Sequence, residues 1–82
     1  MGIIMRFSLE VLEALGAYVF VIRATNETGE FTRFLIKDLE VVMSRIIQEK
    51  EDINNISKEL FKALVANNLL EYNSGNVAFL VC

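Results

Sequence analysis

Few side chains in this chain of 82 residues could carry out bond chemistry. It has no histidine, so the one side chain that titrates unaided near neutral pH is missing. Ser8, Ser44, Ser57 and Ser74 stand in no nucleophile motif with a base beside them. Glu49, Glu51 and Asp52 are close in sequence, but they lack the glycine and regular alternation of a calcium loop and read as a solvated turn. The glycines Gly2, Gly16, Gly29 and Gly75 are scattered and form no phosphate-binding loop. Cys82 is the lone cysteine, so neither a disulfide within the chain nor a cysteine–histidine metal cluster can form. These absences argue against an enzyme, a metal centre and a cofactor, and leave binding as the expected activity.

The side chains suited to binding lie in the last third. Ile53, Ile56, Leu60 and Leu64 recur every three or four residues and predict a helix over about 54–67, capped by Asn54 or Asn55. With that stripe turned inward, the outer face carries Asn54, Asn55, Lys58, Glu59 and Lys62, with Ser57 at its edge. Asn can bond adenine in a major groove, and Lys can reach guanine or phosphate. After Leu69 the helical period stops. The runs Leu69–Tyr72 and Val77–Val81 flank Asn73-Ser74-Gly75-Asn76, which predicts a β-hairpin over about 69–81.

The elements that must position this stretch come earlier. Ser8 can cap a helix in which Leu9, Leu12, Leu15, Val19 and Ile22 repeat at helical spacing, over about 8–24. Val19-Phe20-Val21-Ile22 would also suit a strand. This first helix is apolar nearly all round after Glu13, and such helices are buried on more than one face. The polar loop Thr25–Glu30 breaks the chain. Residues 31–36 fit a strand or a helical stripe equally, and Asp38 should cap a second helix over about 39–49.

The chain is 54% apolar before glycine is counted, against roughly 45–50% with glycine included in ordinary soluble domains. One domain spanning 1–82 cannot hide that much surface alone. A homodimer is the simplest remedy, with Leu12, Leu15, Gly16, Tyr18, Val19 and Phe20 as its expected interface; another protein is the alternative partner. The longest apolar run, Ala14–Ile22, is about half of a membrane span. The start of the chain is too short for a signal peptide before Arg6 interrupts it. Both observations predict a cytoplasmic protein without a membrane partner.

The run from Ile56 through Leu60 and Leu64 to Asn68-Leu69-Leu70, then a polar turn and an apolar strand, resembles the recognition helix and wing of the winged helix-turn-helix family. Asn68 stands where the family often has glycine, and Asn is the next best residue at a left-handed helix end. The resemblance covers about a third of the chain and implies an α+β winged helix-turn-helix fold, three helices followed by a C-terminal β-hairpin wing. It further implies a dimeric transcriptional regulator of double-stranded DNA, reading two major grooves ~34 Å apart. Phosphate contacts would come from Arg33, Lys37, Arg45, Lys58 and Lys62, and from the wing residues Asn73, Ser74 and Asn76. The net charge of −3 is awkward for that function, and the wing lacks Lys and Arg. Winged helices also serve as protein–protein adaptors, which the acidic composition fits.

Overall fold

In the computed structural model, which describes residues 5–72, the first long segment is extended rather than helical. Strands β1 (Arg6–Ala14) and β2 (Ala17–Thr25) pair antiparallel along their full length, from Arg6 opposite Thr25 to Ala14 opposite Ala17. The expected helix over 8–24 is thus a hairpin, and Ser8, expected as its cap, lies within β1. Its apolar residues satisfy a period of two as well as one of 3.6. Phe7, Leu9 and Val11 share one face of the strand, and Leu12 lies on the other. The all-round hydrophobicity marks a hairpin with apolar residues on both faces. Leu15 and Gly16 close the turn at φ 52° and 80°, the pair of left-handed residues that a tight two-residue hairpin requires.

Strand β3 (Phe31–Ile36) settles the open choice at residues 31–36 and pairs with the Val21–Thr25 half of β2. The loop before it is built on Asn26. Its Oδ1 accepts from the Thr28 backbone N–H at 3.0 Å, the Thr28 hydroxyl at 2.8 Å and the Glu30 backbone N–H at 3.0 Å.

Helix α1 (Leu39–Gln48) begins where the sequence predicts, with the Asp38 side chain accepting from the Val41 N–H. It ends in a left-handed residue, Lys50 at φ 55°, while the Glu51 and Lys50 N–H groups close back on the Ile46 and Ile47 carbonyls. Helix α2 (Lys58–Ala66) starts later than expected and is capped by Ser57, whose Oγ accepts from the Leu60 N–H at 3.1 Å. Asn54 and Asn55 are not caps. Asn55 closes a turn on the Asp52 carbonyl, and the Ile56 N–H donates to the Phe7 carbonyl at 2.7 Å. The Glu51 carboxylate holds the cap in place, accepting from the Ser57 N–H at 2.8 Å and hydroxyl at 2.7 Å. Asn68, at φ 59°, ends α2 in the left-handed conformation that its chemistry favours. Strand β4 (Leu70–Tyr72) then pairs with β3. The rest of the expected hairpin over 69–81 lies outside the described residues.

The sheet order is β1-β2-β3-β4. The described residues form this sheet and two helices, so the three-helix winged architecture does not hold. Both helices pack on one sheet face, where Phe7, Ile22, Ala24 and Leu70 meet Val42, Ile46, Ile56, Leu60 and Leu64. On the opposite face Leu12 and Val21 form a second buried cluster with Val19 and Leu35 against it.

Candidate functional site

The residues expected to contact DNA do not assemble on one surface. Arg33 lies on the sheet face opposite α2, where its Nε donates to Glu10 Oε1 at 2.9 Å. Arg45 pairs with Glu49 along α1 at 3.1 Å. Lys37 Nζ donates to the Asn68 side-chain oxygen at 3.1 Å. Asn54 and Asn55 are exposed in the loop before α2, and Ser57 is half-buried as the cap. Lys58 and Lys62 remain together on the exposed side of α2. Asn73, Ser74 and Asn76 lie outside the described residues.

Lys58 and Lys62 stand beside a depression of about 300 Å³ between α2 and the helix-side face of the sheet. Its walls are aromatic: Phe7 stacks on Phe61 at 4.2 Å between ring centroids, Phe34 meets Phe61 edge-on at 5.1 Å, and Tyr72 leans on Phe34 at 5.6 Å. Ala24 and Thr32, neighbours across β2 and β3, contribute the sheet side, and Met5 lines it as well. The strand alternation places Phe7, Ala24, Thr32, Phe34 and Tyr72 on one face, whereas the helical period brings Phe61 down from α2. The sequence contains those aromatics, but their convergence depends on register between segments far apart in the chain. Hence Phe7 and Phe34 escaped the sequence reading as binding residues.

The expected interface residues fall on the β1–β2 hairpin, whose outer half projects beyond β3. Leu15 is 98% exposed and Tyr18 65%, with Gly16 exposed between them, while Val19 and Phe20 are half-buried and Leu12 is buried. Val11, not among the expected residues, is 50% exposed on the same arm. The outer edge of β1 is sealed near its base, where the Leu9 N–H donates to the Ile53 carbonyl at 2.8 Å and the Phe7 carbonyl accepts from Ile56. By alternation, the backbone groups of Val11 and Glu13 face the same way. Among the described residues no backbone group meets them.

On the other sheet face, Glu10 sits between Arg23 and Arg33, its carboxylate 3.5 Å from the first and 2.9 Å from the second. Both guanidinium groups also lie over Phe31, at 4.0 and 4.8 Å from its ring centroid. Arg23 and Arg33 are direct cross-strand partners. Like charges in that position repel, and the Glu10 carboxylate between them offsets part of that repulsion. Of the acids considered as cation ligands, Glu49 pairs with Arg45, Glu51 holds Ser57, and Asp52 accepts from the Asn54 N–H. Among the described residues no group of carboxylates or thiols is arranged to hold a metal ion. No helix among them is long and apolar enough to cross a membrane. Comparison with protein-family profiles, curated proteins and solved structures finds no match for this chain.

Proposed function

We propose that the protein is a non-catalytic interaction module that associates with a second copy of itself through the β1–β2 arm. The observation that carries this reading is the arm's outer half. Beyond Leu9 the β1 edge has no backbone partner among the described residues, and Val11, Leu15 and Tyr18 present apolar surface there. Free edges invite strand addition, and proteins ordinarily cover or charge them. Two charges lie on this segment of β1: Glu10, which pairs with Arg23 and Arg33 on the sheet face away from the helices, and Glu13, exposed near the turn.

Two copies of β1 running antiparallel, centred on Leu12, would place Val11 opposite the partner's Glu13 and join two sheets into one. Such an interface is self-complementary, as a two-fold dimer needs. Duplex DNA binding draws less from the geometry, because Arg33 and Arg45 are already paired with carboxylates and Arg33 lies across the sheet from Lys58 and Lys62.

Sedimentation equilibrium over a wide concentration range tests the reading. The wild type should self-associate. Val11→Pro should be monomeric yet folded, since its N–H points outward and an edge position tolerates proline. Tyr18→Glu should weaken association as well. A wild type that stays monomeric at high micromolar concentration would overturn the proposal. So would retardation of random duplex DNA at low salt that Lys58→Ala with Lys62→Ala abolishes, which would return the function to nucleic acid.

A further inference from the structure

We infer that the aromatic depression beside α2 is a binding site for a small amphipathic anion: an apolar body between the rings and one anionic head at Lys58 and Lys62. The inference stands apart from the dimer, which uses the opposite end of the hairpin.

The lysines point to an anion because their placement works against the helix that carries them. Lys58 is the first residue of α2, where the positive end of the helix dipole disfavours a cation. Lys62 follows at i+4, a spacing at which like charges destabilise a helix. The last turn of α2, where a cation would be favoured, has none. Among the described residues neither lysine has a carboxylate within ion-pair distance, a state they share with Lys37 and Lys50; what sets them apart is their position on the first turns of α2 beside the depression. An anion bound between the two ammonium groups relieves both penalties.

The body of the ligand follows from the walls. Phe7, Phe34, Phe61 and Tyr72 offer rings and no charge, so the part between them must be apolar. An apolar cavity of about 150 Å³ holds a benzene molecule. The depression here, about 300 Å³, therefore takes a fused bicyclic ring or a medium-length acyl chain. A nucleotide triphosphate or a sugar phosphate does not fit this chemistry: its polar body would lie against rings with few hydrogen-bond partners. Carboxylates of the aromatic and the acyl kind share the required features, and the experiment separates them.

The test uses the whole chain and two probes, 1-naphthoate and decanoate, each set against its neutral alcohol. Amide and methyl NMR shifts are followed during titration, with calorimetry for affinity. At least one acid should bind saturably, shifting signals of Phe61, Thr32 and Ala24 before any others. Naphthoate binding more tightly assigns an aromatic body, decanoate an acyl one. The alcohols should bind more weakly. Each of Lys58→Gln and Lys62→Gln should lower affinity for the acid about 2–5-fold, as expected for an exposed charge pair, without lowering affinity for the alcohol. Both lysines are exposed, so these variants keep the fold. Thr32→Phe, which fills the depression, should abolish binding of acid and alcohol alike. Absence of saturable shifts at millimolar acid would overturn the inference. Equal affinity for acid and alcohol, or acid affinity unchanged in the double lysine variant, would overturn it too.

Discussion

Leu15→Asn should stabilise the monomer while weakening its self-association. Leu15 holds φ at 52° in the hairpin turn, with its side chain 98% exposed. A branched apolar side chain in the left-handed region costs about 1–2 kcal/mol, and asparagine visits that region far more readily. Replacement forfeits almost no buried surface, so the relief is nearly undiluted, and about 1 kcal/mol of stabilisation is expected. For a domain of this size that corresponds to a melting temperature higher by about 4–8 °C. Thermal unfolding by circular dichroism, at concentrations below the association range, reads the first effect. Sedimentation equilibrium at higher concentration reads the second. The two effects have opposite signs, so general damage to the fold cannot mimic the result. A lower melting temperature would mean that Leu15 is packed within its own chain, contrary to its exposure. A higher melting temperature with undiminished association would remove Leu15 and its turn from the proposed interface.

Leu64 is fully buried in the helix–sheet core, and Leu64→Ala should cost about 2–5 kcal/mol by leaving a cavity, as urea denaturation will show. Lys50→Gly should add about 1 kcal/mol, because Lys50 is held at φ 55° just past α1, where glycine meets no Cβ penalty; a loss in the same assay would mean that its side chain makes a contact worth more than the backbone relief. Glu10→Gln should destabilise by about 1 kcal/mol, because it leaves Arg23 facing Arg33 across β2 and β3. The deficit should shrink modestly as salt is raised, since screening reaches half-buried guanidinium groups only in part; a deficit indifferent to salt would point to lost packing.

The helices were legible where local signals are self-sufficient. Asp38 before a stripe of Val42 and Ile46 predicts α1, and its cap bond forms. Asn68 reads as a left-handed helix end, and its φ is 59°. The start of α2 was misplaced because Asn54 and Asn55 look like caps, yet Ile56 is drawn into pairing with Phe7, almost fifty residues away. The error over residues 8–24 has the same origin. Leu9, Leu12, Leu15, Val19 and Ile22 fit a helix by spacing, but the turn at Leu15-Gly16 lacks the asparagine or aspartate that usually announces a hairpin. At the candidate ligand site, Lys58 and Lys62 were visible as a pair on one helix face, whereas the aromatic walls were not.

The sequence by itself determined the absence of histidine chemistry, the excess of apolar side chains, the identity of α1 and the Leu60 and Leu64 half of the expected stripe, which α2 buries, whereas Ile53 and Ile56 precede the helix. Each depends on composition or on neighbours within a turn or two. Tertiary structure alone decided that the first apolar segment folds as a hairpin, that residues 31–36 form a strand between β2 and β4, and that Arg33 is separated by the sheet from Lys58 and Lys62. A strand has no internal hydrogen bonds to declare it, so its backbone is satisfied only by partners elsewhere in the chain. Which face each of its side chains takes then follows from that pairing register.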